Sequence, residues 1–259
     1  MGTQAAQSCP ACRTSGPSNL VETHVDPISR ALYSLYLCPR CGVGFTEPRV
    51  AVGAEWYASA AMREGVITSS WDWRFEQFFL ESLTAKRVLD FGCGSGHFIS
   101  LAQKRGYEVS GFDFNAAHVE LAKLAGAKDA WVMDQRVFLK THQVRYDAVT
   151  LFDVLEHLPE PAEALEGIFN LLAPKGCIVI TVPNADRPVP CAYLRERWDY
   201  PPFHFTRWSG AAMKTTLERI GFRVEKIVWS PLPRTYFSAL IYYRLLTGLF
   251  PYLKRVLLG

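Results

Sequence analysis

Three glycines at alternate positions, Gly92, Gly94 and Gly96, follow a carboxylate, Asp90, that stands at the end of a short apolar run, Val88-Leu89. Glycine has no Cβ, so such a stretch can turn tightly and bring its backbone close to a ligand. His97, Phe98, Ile99, Leu101 and Ala102 then resume at helical spacing. A strand, a glycine loop and a helix N-terminus together make a site for a nucleotide-like ligand. The spacing is G-x-G-x-G where the dinucleotide fingerprint has G-x-G-x-x-G, so the loop alone does not name its ligand. Two more acids close apolar runs further on: Asp113, 23 residues beyond Asp90, and Asp134. A carboxylate at the first of these places can accept both vicinal hydroxyls of a ribose. A fourth apolar run, YDAVTLF, ends at Phe152 and leads directly into Asp153-Val-Leu-Glu156-His157.

A second set of reactive side chains lies at the other end of the chain. Cys9-Pro-Ala-Cys12 is followed after 25 intervening residues by Cys38-Pro-Arg-Cys41-Gly42. Two C-x-x-C knuckles at this separation read as a four-thiolate zinc ribbon, with Cys9, Cys12, Cys38 and Cys41 as ligands. Four sulfurs leave no open coordination position, so the expected role of the zinc is structural. About forty residues hold too little apolar core to fold alone, whereas a structural zinc contributes on the order of 10 kcal/mol.

The elements that must position these groups follow from periodicity. Short apolar strands alternate with helical spacings from Val88 to Val182, which predicts an α/β fold. The expected architecture is a doubly wound, Rossmann-like, mostly parallel sheet of six or seven strands, with the ribbon as a small N-terminal module. Residues 71–83 place Phe75, Phe78 and Phe79 on one helical face beside that sheet. Residues 222–229 and 236–243 are the candidates for the last two strands, and the second of these could equally begin a helix. The expected boundaries are 1–45 for the ribbon, 46–70 for a linker carrying Trp56, Tyr57 and Arg63, 71–232 for the catalytic domain and 233–259 for a tail.

With 49% hydrophobic and 20% charged residues the chain reads as an ordinary soluble globule, and a net charge of +3 is too small to argue for nucleic acid, which is not the expected partner. The first residues hold no apolar run of signal-peptide length, so the expected compartment is the cytoplasm. Seven cysteines there point to metal or structural thiols before disulfides. The tail is apolar but broken by Arg244, Gly248, Pro251, Lys254 and Arg255, too short a run to span a bilayer. It suits either a peripheral contact with a membrane surface or packing on its own domain or on a dimer partner, and the chain is expected to be a monomer or homodimer.

The combination of Asp90 with the 92–96 loop, Asp113, Asp134, Phe-Asp-Val-Leu-Glu-His157, and Ala-Pro-Lys-Gly176 ahead of a strand ending at Val182-Pro-Asn184 resembles the class I S-adenosylmethionine-dependent methyltransferases. It is most similar to the small-molecule branch that includes ubiquinone-type and sugar-modifying enzymes, and the resemblance spans residues 75–228. It implies that Asp90, Gly92, Gly94 and Gly96 hold the methionine part of S-adenosylmethionine. Asp113 would take the ribose hydroxyls, Phe114 and Met133 would flank the adenine, and Asp134 would meet its amino group. Phe152 and Asp153 would line the floor near the sulfonium.

The stretch 186–209 interrupts the alternation. In an open α/β sheet the loops beyond strand carboxyl ends form the ligand crevice, so this insertion is the expected acceptor wall. Its candidate residues are Tyr193, Arg195, Trp198, Tyr200, Phe203 and His204. A hydroxyl acceptor needs a base to take its proton. His157 with Glu156, or His204, could supply it, or Asp153, Glu156 and His157 could hold a divalent ion. The expected function is methyl transfer to a small-molecule acceptor, a sugar or a phenolic or quinone hydroxyl. Two alternatives remain open: a cofactor-binding protein whose ribbon recognises a partner, and an RNA-modifying methyltransferase.

Overall fold

In a computed structural model of the chain, the structure describes residues 8–50, 72–81, 84–127, 129–186 and 199–230. The ribbon opens with an antiparallel hairpin of β1 (Asn19–Val25) and β2 (Leu32–Leu37). Asp26 makes its turn by accepting from the Ser29 N–H at 2.7 Å and the Ser29 hydroxyl at 2.6 Å, the local bonding that suits aspartate to turns. Between β2 and β3 (Gly44–Glu47) lies the second cysteine knuckle, which turns at Gly42 with φ 74°.

The domain that follows begins with helix α1 (Trp73–Glu81) and strand β4 (Arg87–Phe91). Then come α2 (His97–Lys104), β5 (Glu108–Asp113), α3 (Ala116–Leu124), β6 (Asp129–Val132), α4 (Gln135–Thr141) and β7 (Tyr146–Phe152). A 3-10 turn (Leu155–His157) leads to α5 (Pro161–Leu171), β8 (Leu172–Thr181), β9 (Thr206–Arg207) and α6 (Gly210–Ile220). The central sheet has the order β6-β5-β4-β7-β8 and every neighbour pair is parallel. The chain winds outward from β4 to β6, then crosses back to β7 and β8. The reversal falls between β4 and β7, and the crevice beyond their carboxyl ends is where such sheets bind ligands.

Alternate residues of each strand feed two apolar layers, as the pleat requires. Val88 and Ala148 join Phe75, Phe78, Phe98 and Val119 on one face, while Leu89 and Val149 join Phe138, Leu165 and Ile168 on the other. The second layer is continuous with the ribbon, since Cys9, Cys12, Cys38, Cys41 and Phe45 belong to the same buried cluster.

Several expectations change. The parallel sheet has five strands among the described residues, where six or seven were expected. Residues 222–229 carry no strand pairing among the described residues: Phe222 packs edge-on against Phe169 at 5.0 Å, while Trp229 remains 56% exposed. A strand needs a neighbour's backbone to bond, and β8 is the edge of the sheet among the described residues. Residues 236–243, the linker residues Trp56, Tyr57 and Arg63, and the tail lie outside the described residues. The ribbon runs past the boundary expected at residue 45, because β3 continues to Glu47. The turn expected at Pro174-Lys175-Gly176 is instead an irregularity inside β8, with Lys175 at φ 66° and a register shift against β7. Helix α4 and strand β9 carry no pattern that the sequence reading used.

Candidate active site

The glycine loop turns as its spacing demands. Gly92, Gly94 and Gly96 all have positive φ, at 76°, 50° and 75°. Their surroundings separate two duties. A Cβ on Gly92 would meet Val154 Cγ2 at 2.8 Å, and one on Gly96 would meet Ala122 Cβ at 2.7 Å, so both permit close packing. Among the described residues Gly94 has nothing within 4 Å of an added Cβ. That is the one glycine of the three with room for a ligand beside it.

Carboxylates at adjacent strand tips flank this loop. Asp90 is buried and accepts a 2.8 Å bond from the Thr150 hydroxyl of β7. Burial pushes its pKa up to about 7, the Thr150 bond opposing and the nearby Asp113 charge adding to the rise. Asp113 accepts from the Asn115 N–H at 2.8 Å and the Gly94 N–H at 3.0 Å, one on each oxygen. Burial raises its pKa as well, against those two backbone bonds. Phe114, next in line, is 45% exposed. Met133 is half-buried and donates its N–H to the Asp113 carbonyl at 3.0 Å. Asp134 caps α4, its Oδ1 accepting from the N–H groups of Arg136 at 2.8 Å and Val137 at 3.4 Å. Capping is a complete structural reason for an aspartate at that position.

The floor involves residues that the sequence reading missed. Phe152 packs at 4.9 Å against both Phe75 and Phe98. Asp153 stands at φ 54° with its Oδ1 bonded by the Thr181 hydroxyl at 2.9 Å and its Oδ2 paired with Arg74. Arg74 is itself held by Asp72 through its Nε at 2.9 Å. The first turn of α1 therefore reaches over the switch point. The available signal was an acid and a base two residues apart within an otherwise aromatic run, a poor fit to a purely packing helix.

Beyond β7 a second cluster forms. Glu156 is 1% exposed, neither carboxylate oxygen has a hydrogen-bond partner among the described residues, and burial raises its pKa to about 8. His157 donates from Nδ1 to the Phe203 carbonyl at 2.7 Å, since a carbonyl only accepts; in the neutral ring Nε2 is then the acceptor nitrogen. Burial lowers the His157 pKa, with the Phe203 bond partly offsetting. His204 comes from the distant insertion, its Nε2 3.9 Å from Glu156 Oε1 and its ring 4.8 Å from that of His157. Of the expected acceptor wall, Phe203 is buried and serves through its carbonyl, and Tyr200 stacks on His24 at 4.3 Å. Tyr193, Arg195 and Trp198 lie outside the described residues.

The four ribbon cysteines converge as their spacing predicts. All four are buried, with Sγ–Sγ distances of 3.6 Å for both Cys9–Cys41 and Cys12–Cys38. A tetrahedral zinc with bonds of about 2.3 Å places its sulfurs about 3.8 Å apart. A disulfide would need about 2.05 Å. The donor set fits zinc.

A methyltransferase-domain family profile matches residues 67–227, more than half of the chain. The chain therefore belongs to the methyltransferase-domain family, in agreement with the resemblance carried by its motifs. Among curated proteins it is 33% identical over 120 residues to a ubiquinone biosynthesis O-methyltransferase of Psychrobacter arcticus, covering 43% of this chain and 45% of the relative. It is 34% identical over 114 residues to the protein of the same description in Saccharophagus degradans, covering 42% and 47%. The chain thus spans about half the length of the curated relatives it matches. Among solved structures, a SAM-dependent methyltransferase from Archaeoglobus fulgidus aligns with a TM-score of 0.51 at 21% identity, covering 74% of this chain and 92% of that one. The plantazolicin methyltransferase BpumL in complex with SAH aligns with the same score at 18% identity, covering 72% and 80%. These two likenesses are of fold.

Proposed function

We infer that this chain transfers a methyl group from S-adenosylmethionine to a hydroxyl of a small-molecule acceptor, either a sugar or a phenolic quinone precursor. One observation carries this reading. At a single switch point, an open glycine loop flanked by buried carboxylates adjoins the turn that bears Glu156 and His157. When bound, the cofactor supplies an activated methyl carbon and a good leaving sulfur. The protein's work is to hold, align and deprotonate.

Asp90 and the open side of Gly94 hold the methionine part, with the Asp90 carboxylate facing a cationic ligand. Each Asp113 oxygen carries one backbone bond and retains a second lone pair for a ribose hydroxyl. Phe114, Met133 and Asp134 flank the adenine. Phe152 and Asp153 form the floor, with Asp153 braced by Arg74. On the acceptor side His204 takes the hydroxyl proton. Burial raises the Glu156 pKa to about 8, and His204 Nε2 lies 3.9 Å from Glu156 Oε1, so a proton taken up by the ring favours the carboxylate form beside it. The two groups act as one proton-sharing unit, and His157, neutral and tied to Phe203, holds the insertion in place.

A second reading is favoured by the absence, among the described residues, of a hydrogen-bond partner for the buried Glu156 carboxylate. Glu156, His157 and His204 each offer a ligand atom within 4.8 Å of the others. A divalent cation there would satisfy the buried carboxylate and acidify an acceptor hydroxyl. Asp153, named for such a site from sequence, is engaged with Arg74 and Thr181 instead.

The test is a screen of radiolabelled methyl transfer against nucleotide sugars, phenolic quinone precursors and tRNA. It is run before and after treatment with a chelator mild enough to leave the zinc content unchanged. Label is expected in one of the first two classes. Transfer that survives chelation assigns proton removal to His204, and transfer lost and then restored by magnesium or manganese assigns it to a cation. Labelled tRNA would overturn the acceptor class. A folded protein that ignores both S-adenosylmethionine and S-adenosylhomocysteine in calorimetry would overturn the whole reading.

A further inference from the structure

The segment around β9 is where the ribbon and the turn bearing Glu156 share one piece of backbone. Phe205 donates its N–H to the Glu156 carbonyl at 2.8 Å, and its own carbonyl accepts from the Thr46 N–H of β3 at 2.9 Å. Alongside, Phe45 pairs with Thr206 and Gly44 with Arg207. The Thr206 hydroxyl, buried, donates back to the Leu155 carbonyl at 3.4 Å and accepts from the Trp208 indole at 2.9 Å. His204 therefore sits at the head of a strand clamped between the ribbon's edge and the catalytic turn.

Side chains of β1 extend the clamp. The His24 ring stacks on Tyr200 at 4.3 Å. Glu22 pairs with Arg207 at 2.6 Å, and the Arg207 guanidinium lies 5.0 Å above the Tyr200 ring while donating to the Asp199 carbonyl at 3.2 Å. On the ribbon's other side, Arg219 of α6 donates to the Cys12 carbonyl at 2.8 Å, which anchors the first knuckle to the domain. By contrast, the bonds that fix the donor half run within the parallel sheet and its loops, from Thr150 to Asp90 and from Gly94 and Asn115 to Asp113.

A strand of two residues has almost no stability of its own: the ribbon sheet holds β9 from one side, while the Glu156 turn and the buried Phe205 and Trp208 hold it from the other. That sheet belongs to a module too small to stand without its metal. We propose that the zinc ribbon is the positioning element of the acceptor half: through the β3–β9 ladder and through His24 and Glu22 it holds Tyr200 and His204 against Glu156. His24 and Glu22 are thus positioning residues, acting through Tyr200 and Arg207. The inference rests on reading Glu156, His157 and His204 as the acceptor-side group, because a displacement of about 1 Å there is enough to cost about a hundredfold in rate.

The experiment is hydrogen exchange on the full chain saturated with S-adenosylhomocysteine, before and after zinc is withdrawn with 1,10-phenanthroline. Amides of residues 203–208 are expected to exchange at least tenfold faster without zinc. Residues 88–94 and 110–115 should keep their protection, and affinity for S-adenosylhomocysteine should change by less than twofold. Unchanged protection at 203–208 would overturn the proposal. Equal loosening of both halves would also overturn it, because the ribbon would then be only one part of a common core.

A zinc-loaded pair of variants keeps the test independent of the metal. His24→Ala should speed exchange at 199–206 severalfold and raise the acceptor KM more than it lowers kcat. His24→Phe, which keeps the stacked ring, should restore both. A silent His24→Ala, or no rescue by His24→Phe, would refute the positioning role. Failure of the exchange pattern with intact S-adenosylhomocysteine binding would sink this inference alone, whereas failure of that binding would sink the methyltransferase reading.

Discussion

The proposed donor and acceptor halves of this site are built in opposite ways. The donor half is compact in sequence: Asp90, the glycine loop and Asp113 fall within one strand-loop-helix-strand unit, where backbone N–H groups hold the Asp113 carboxylate and only the Thr150 hydroxyl on Asp90 comes from further along the sheet. The acceptor half is assembled from afar. Glu156 and His157 arrive on a 3-10 turn, His204 on an insertion more than forty residues later, and Thr46 of the ribbon bonds Phe205 across 159 residues. The difference bears on adaptability. A pocket written into one local unit can stay constant, while one wall made of an insertion and an accessory module can vary without disturbing it. Loops carried on a rigid scaffold are where specificity changes at least cost to the fold.

Changes that separate the halves by their readouts test this contrast. The largest effect is expected for His204→Gln, which should lower kcat by about a hundredfold or more, the usual contribution of a positioned base. Its affinity for S-adenosylhomocysteine should stay within a factor of two in calorimetry, and a parallel loss of both would erase the distinction. Asp113→Asn should do the reverse. It should weaken S-adenosylmethionine binding by about tenfold to a hundredfold, the worth of hydrogen bonds to a charged acceptor, with kcat at saturation little changed.

A pH titration sharpens the donor side. Asp90 carries a pKa of about 7 in the free protein, so about half of it is protonated at neutrality. The α-ammonium group of the ligand's amino-acid end, present in S-adenosylhomocysteine as in S-adenosylmethionine, favours the ionised form, and binding should release protons. Calorimetric affinity for S-adenosylhomocysteine should therefore tighten by about tenfold from pH 6 to pH 8 and level off above that. Asp90→Asn should flatten the profile; a profile that weakens with rising pH would contradict the assignment. The smallest effect is expected at Asp134. Because its carboxylate caps α4, Asp134→Ala should cost about 1 kcal/mol of stability in denaturant unfolding. A loss of affinity much larger than the loss of stability would show that adenine contact is its main duty.

How much of this was legible depended on whether the information was local. The glycine spacing, the acids at strand tips and the cysteine knuckles could be read directly, because each is a relation between residues a few positions apart. Asp134 shows the limit of such reading: its place at a strand end was visible, but the short helix it caps was not, since Gln135–Thr141 is too brief for periodicity to declare itself. Arg74 was overlooked within an aromatic stripe because its partner Asp153 lies 79 residues away.

By itself, the sequence determined the class of fold, the glycine loop and the convergence of the ribbon's four cysteines, since those follow from side-chain period, from φ values open to glycine, and from the reach of paired thiolates. Only the tertiary structure decided that a two-residue strand at Thr206–Arg207 completes the ribbon's sheet, and that His204 thereby meets Glu156. No local pattern encodes such a pairing. Its free energy comes from backbone groups and buried rings that become neighbours only once the whole chain has packed.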